Sequence, residues 1–150
     1  MEKIASFKID HNKLTEGIYV SRIDGDVTTY DLRTRKPNKD DYMDNITMHS
    51  VEHMLATVLR SSALKDDILY FGPMGCQTGF YLLVRNADNN KVLEVLIHSL
   101  KTIIFDCNEM FGASAIECGN YKNLSLSKAK TECKRYLDIL NSKENTFIYE

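Results

Sequence analysis

The chain has 150 residues and a mass of 17.2 kDa, with 43% hydrophobic and 27% charged residues, the composition of one globular domain built on one core. Nineteen Lys and Arg against twenty-one Asp and Glu leave a net charge of −2 without a basic stripe, which argues against a nucleic-acid partner. No apolar run approaches the roughly 18 residues of a spanning helix and the N-terminus lacks a basic segment followed by an apolar one, so no membrane contact and a cytoplasmic location are expected.

In chain order, Ala5, Phe7 and Ile9 alternate with polar residues and predict a first strand. Ile18 to Ile23 and Val27 to Leu32, joined by Asp24-Gly25, predict a hairpin. Residues 33–44 lack a period and contain Pro37, so they predict a loop. Asn45 or Thr47 then caps a helix running to about Ser62. Ile68 to Phe71 and Gln77 to Val84 predict two more strands around an irregular Gly72-Pro73-Met74-Gly75-Cys76 turn with Cys76 at its exit. A long helix follows from Lys91 to Phe111, ending at Gly112. A short segment, Ala113 to Tyr121, precedes a last helix from Ser125 to about Asn141 and a frayed tail. Strands, helix, strands and two helices predict a single α+β domain over residues 1–150, with an antiparallel sheet packed against helices.

His49-Ser50-Val51-Glu52-His53 puts two imidazoles one helical turn apart with a carboxylate on the same arc, while Val51, Met54, Leu55 and Val58 take the opposite, packing side. This is the separation two ligands of one metal need, and neutral imidazole suits Zn²⁺ or Fe²⁺. The same H-x-x-E-H pattern marks inverzincin metalloproteases, so a metallohydrolase with Glu52 activating water is one reading. A catalytic ion usually takes three protein ligands, and Cys118, beside Gly119, is the candidate for the third. Cys76, held at a tight turn, is a candidate thiolate base. Cys107, Cys133 and His98 sit in helical patterns and read as packed side chains. A closed structural zinc site needs four ligands, and paired CxxC knuckles are not evident.

Five blocks in register over positions 6 to 121 carry a family resemblance: Ser6-Phe7 with Asp10-His11, Asp31-Leu32-Arg33 with Pro37-Asn38, His49 to His53, Pro73-Met74-Gly75-Cys76-Gln77-Thr78-Gly79-Phe80-Tyr81, and Glu117-Cys118-Gly119-Asn120-Tyr121. Together they closely resemble the S-ribosylhomocysteine lyase (LuxS) family. The resemblance implies a lyase that moves the sugar carbonyl of S-ribosylhomocysteine from C1 to C3 and then eliminates the thioether. The products are homocysteine and 4,5-dihydroxy-2,3-pentanedione, the precursor of the quorum-sensing signal autoinducer-2. It implies a homodimer with active sites at the interface, each with one divalent metal per subunit, Fe²⁺ natively and Zn²⁺ or Co²⁺ as replacements. It implies His49, His53 and Cys118 as ligands, Cys76 and Glu52 as the acid/base pair, and Ser6, His11 and Arg33 as substrate contacts. Arg33 offers a fork of donors suited to a carboxylate or sugar oxygen. Tyr70 stands where many members carry Asp. Both imidazoles and the Cys118 sulfur are thus expected to converge on one cation whose open position faces Cys76.

Overall fold

The computed structural model describes residues 1–149. Period-two patterning makes the first hairpin. In Gly17–Asp24 (β1) and Val27–Arg33 (β2), Ile18, Tyr30 and Leu32 turn into the core, and the left-handed Gly25 (φ +60) lets a two-residue loop close the turn. Ile68–Pro73 (β3) and Gly79–Arg85 (β4) complete a four-stranded sheet ordered β1-β2-β4-β3, antiparallel throughout. On its inner face Leu32 opposes Phe80 and Tyr30 opposes Leu82. On its outer face Asp31 lies between Tyr19 and Tyr81, and Arg33 between Gly17 and Gly79.

Three helices, Asn45–Leu59 (α1), Asn89–Asp106 (α2) and Leu126–Asn141 (α3), share one core with the inner face: Val51, Met54, Leu55, Leu96, Leu100, Cys133 and Tyr136 pack with Tyr30, Leu32, Phe80 and Leu82. This is the expected α+β architecture. Each helix starts where a side chain accepts an otherwise orphaned N–H: Asp44 from Thr47 at 2.7 Å, Asp88 from Lys91 at 2.9 Å and Ser125 from Lys128 at 3.2 Å. Among the described residues no helix is long and apolar enough to cross a membrane.

Several elements differ from the sequence expectations. Residues Ala5–Phe7 form one 3-10 turn instead of a strand, closed by the Phe7 and Lys8 amides, and Phe7 stays exposed, because three alternating apolar residues find no sheet partner here. The α1 cap is Asp44, one residue before Asn45. The α2 helix stops at Asp106, where Cys107 turns extended, so Gly112 (φ +68) bends a later loop and is no helix cap. Gly72 and Pro73 belong to β3, and Gln77, with φ +64, carries the left-handed bend of the turn.

The segment after α3 is docked. Phe147 is buried, its carbonyl accepts from the Val20 amide at 2.8 Å, and it forms a parallel bridge with Tyr19 on the free side of β1. The loop after Arg33 is held by ions: Arg35 grips the buried Glu132 of α3 and also Asp41, while Arg135 reaches Asp41 and Glu16. The Thr34 and Arg35 amides both donate to the Thr78 carbonyl, which fixes the end of β2 against the turn bearing Cys76.

Candidate functional site

Two groups of reactive side chains emerge. The first is on the helical side. Because α1 buries Val51, Met54 and Leu55, its 49–53 edge is left half-buried under the loop that follows α2. His49 and His53 rings lie 4.6 Å apart and perpendicular. The His49 Nδ1 meets the Asn123 carbonyl and the His53 Nδ1 the Phe111 carbonyl, each at 3.0 Å. Carbonyls only accept, so these partners assign the protons to Nδ1 and leave both Nε2 lone pairs free, the arrangement that usually orients metal-binding histidines. The Cys118 Sγ lies 3.4 Å from His49 Nε2 and accepts from the Asn120 amide at 3.4 Å.

The donor atoms of His49, His53 and Cys118 all lie within 4.8 Å of one another. Two nitrogens and one sulfur suit a borderline-soft divalent ion, and three protein donors leave a tetrahedral ion one open position. The residues present therefore fit a catalytic metal. Gly112 is required by this packing, since an added Cβ would lie 2.7 Å from His53 Nδ1. Glu52 is half-buried between the two histidines and, among the described residues, makes no hydrogen bond or ion pair, so its carboxylate is available.

The second group lies on the outer face of the sheet. Alternation in β2 turns Asp31 and Arg33 away from the core, yet they are 1% and 2% exposed. The two cross-strand neighbours of Arg33 are glycines, which leaves a slot for the guanidinium. Its Nε and one terminal nitrogen pair with Asp31 at 3.1 and 2.6 Å. The other terminal nitrogen donates to Thr78 Oγ1 at 2.7 Å and faces Cys76 Sγ at 3.8 Å. Cys76 is exposed, and its sulfur is 3.0 Å from Thr78 Oγ1. Burial opposes the charge on Arg33, but the charge and hydrogen bonds of Asp31 outweigh it and raise the guanidinium above its ordinary value. The Tyr149 hydroxyl donates to Asp31 Oδ2 at 2.7 Å and its ring stacks on Tyr19. Burial first, then the Asp31 charge, pushes the Tyr149 hydroxyl up.

The expected site residues are thus divided. His49, His53 and Cys118 converge, with Glu52 between the histidines. Cys76 joins Arg33 in a separate group, and Ser6 lies beside Tyr81 on the same outer face. His11 is half-buried with its Nδ1 on the Ile9 carbonyl at 2.8 Å. Tyr70 lies across Gly72 on the outer face. Cys107 and Cys133 are buried thiols, Cys133 pushed to about 12 chiefly by burial. His98, expected to pack, is exposed, because α2 turns its 94–98–101 edge to solvent. Asp31, Thr78 and Tyr149 were not singled out as site residues. The alternation of Asp31-Leu32-Arg33 was a legible signal for the first, and nothing local marks the others.

A model of the S-ribosylhomocysteinase (LuxS) family matches residues 4–147. Three similar proteins, each named S-ribosylhomocysteine lyase, come from Borrelia garinii subsp. bavariensis, Finegoldia magna and Clostridium beijerinckii. They are 46%, 44% and 41% identical, each over 99% of this chain and 99% of their own length.

Proposed function

This chain belongs to the S-ribosylhomocysteinase (LuxS) family, and from that premise we propose that it is a metal-dependent carbon-sulfur lyase cleaving S-ribosylhomocysteine to homocysteine and 4,5-dihydroxy-2,3-pentanedione, the autoinducer-2 precursor. The observation that carries the reading is the convergence of the His49, His53 and Cys118 donors. A metallohydrolase of the inverzincin type is disfavoured because its third donor is a carboxylate, whereas the third donor atom here is a thiol sulfur.

The chemistry sets the division of labour. A thioether leaves only when the carbon next to the sulfur-bearing carbon is acidic, which requires the carbonyl at C3. A divalent cation held by His49, His53 and Cys118, Fe²⁺ natively with Zn²⁺ or Co²⁺ as replacements, supplies Lewis acidity worth several kcal/mol toward the sugar oxygens. Cys76, as thiolate, takes and returns the carbon-bound protons that move the carbonyl, and Arg33 stands beside its sulfur to offset the negative charge. Glu52 carries protons among the sugar oxygens and assists the last step, in which the C4 proton is lost, the C5–S bond breaks and homocysteine leaves with the electron pair on sulfur. Four of the five N–H groups of Arg33 face Asp31, Thr78 or Cys76, so it holds Cys76 and keeps one donor for the substrate, which Ser6 and His11 also contact.

The Cys76 group lies on the sheet face turned from the helices and the histidine group on the helical side, which supports a homodimer whose active sites at the interface join one group from each subunit. Four free thiols suit the reducing cytoplasm. The whole chain acts as one lyase domain.

Metal-loaded protein is expected to release free thiol from S-ribosylhomocysteine. Cys76→Ala is expected to lose roughly 10²–10⁴-fold in kcat with metal content unchanged, and His53→Ala to lose the metal. Absence of thiol release by metal-replete protein defeats the reading.

A further inference from the structure

We propose that Tyr149 is a positioning residue for the Cys76 thiol, acting through Asp31 and Arg33, so that the segment after α3 is part of the acid-base machinery. The inference rests on Cys76 as the residue that moves carbon-bound protons.

Tyr149 lies beyond the 4–147 span of the family model. Its hydroxyl and an Arg33 terminal nitrogen meet the same Asp31 oxygen, Oδ2, at 2.7 and 2.6 Å. The remaining Asp31 oxygen takes the Arg33 Nε at 3.1 Å, so the carboxylate is bracketed and cannot rotate without breaking one of these bonds. That orientation directs the last Arg33 nitrogen at Thr78 and the Cys76 sulfur. The Tyr149 ring is itself fixed by stacking on Tyr19, 5.0 Å between centroids and 18° from parallel, and by Phe147 two residues earlier, which is pinned to β1. A short chain of contacts therefore runs from the docked segment to the thiol.

Two effects of the Tyr149 hydroxyl act in the same direction on Cys76. It keeps water from Asp31, which holds the guanidinium rigid beside the sulfur, and it draws off part of the Asp31 charge, which otherwise opposes a second anion nearby. Removing the hydroxyl disfavours the thiolate on both counts.

Tyr149→Phe keeps the ring stack and removes only the hydroxyl, which separates positioning from packing. Metal-loaded wild type and variant are treated with iodoacetamide from pH 5.5 to 9, and alkylation of the Cys76 peptide is followed by mass spectrometry. The pH midpoint is expected to rise by about half a unit or more in Tyr149→Phe, with kcat for thiol release down about 3- to 10-fold and KM within about twofold. Tyr149→Ala is expected to show the same shift together with a lower melting temperature. If Tyr149→Phe matches wild type in alkylation profile and kcat while Tyr149→Ala is merely less stable, the segment is a packing latch and the proposal is overturned. The premise fails separately: Cys76→Ala protein that still releases thiol removes the role of Cys76, whereas the alkylation midpoint still decides whether Tyr149 acts on it.

Discussion

Gly112 shows how one residue far along the chain sets the geometry of a helix edge. Its φ of +68 is disfavoured for any side chain, and a Cβ there meets the His53 ring at the nitrogen that bonds the Phe111 carbonyl. Gly112→Ala is therefore expected to weaken metal binding roughly 10- to 100-fold, as loss of a ligand's orienting partner does, and to lower stability by about 1–2 kcal/mol. Competition with a chelator and urea unfolding measure the two effects. Unchanged metal affinity would show that the His53 ring is oriented by something else. At this scale the histidine pair was legible because i and i+4 positions meet on any helix. Arg33 was not, since an arginine at a strand end is exposed by default; its burial depends on Asp31, on two glycines across the sheet and on Tyr149, all fixed only by tertiary structure.

Among the elements, α1 carries three residues of the site and depends on its first turn. Asp44 caps it and also pairs with Lys128 of α3 at 2.7 Å. The Lys128 hydrogen bond, then the Thr47 amide, lowers the Asp44 carboxyl to about 2. A folded-state value below the unfolded value of about 4 means that this stabilisation is present above pH 4 and is lost as pH falls toward 2. Asp44 is well exposed, so the ion pair contributes little and the cap dominates. Asp44→Ala is expected to cost about 1 kcal/mol at pH 7 and less at pH 3, and Asp44→Asn to recover most of it. Urea unfolding at both pH values checks this. A cost equal at the two pH values would assign the effect to helix propensity alone. The hairpin, the later strands and the three helices were legible because their periods extend over a whole element. The 3-10 turn at Ala5–Phe7 was not, because three alternating residues carry the same pattern whether or not a neighbouring strand exists. The early end of α2 was not either, because Asn108, Glu109 and Met110 contain no residue that forbids a helix; what bends them away is the pull of Phe111 toward Met54 and His53.

On the scale of the molecule, the two reactive groups face opposite sides of the sheet. If each active site joins the Cys76 group of one subunit to the histidine group of the other, then two inactive variants, His53→Ala and Cys76→Ala, complement each other. Unfolding and refolding them together in equal amounts gives half heterodimers with one intact site of two, so about a quarter of wild-type activity is expected. Refolding each alone yields none. No recovery in the mixture would put both groups of a site in one subunit.

The bridge between Phe147 and Tyr19 bears on solubility. An outermost strand offers a row of unpaired amides and carbonyls that invites edge-to-edge aggregation. On β1 part of that row is taken up by the Val20 amide's bond to the Phe147 carbonyl and the Tyr19–Phe147 bridge, so the docked segment shortens the free edge that β1 offers to another chain.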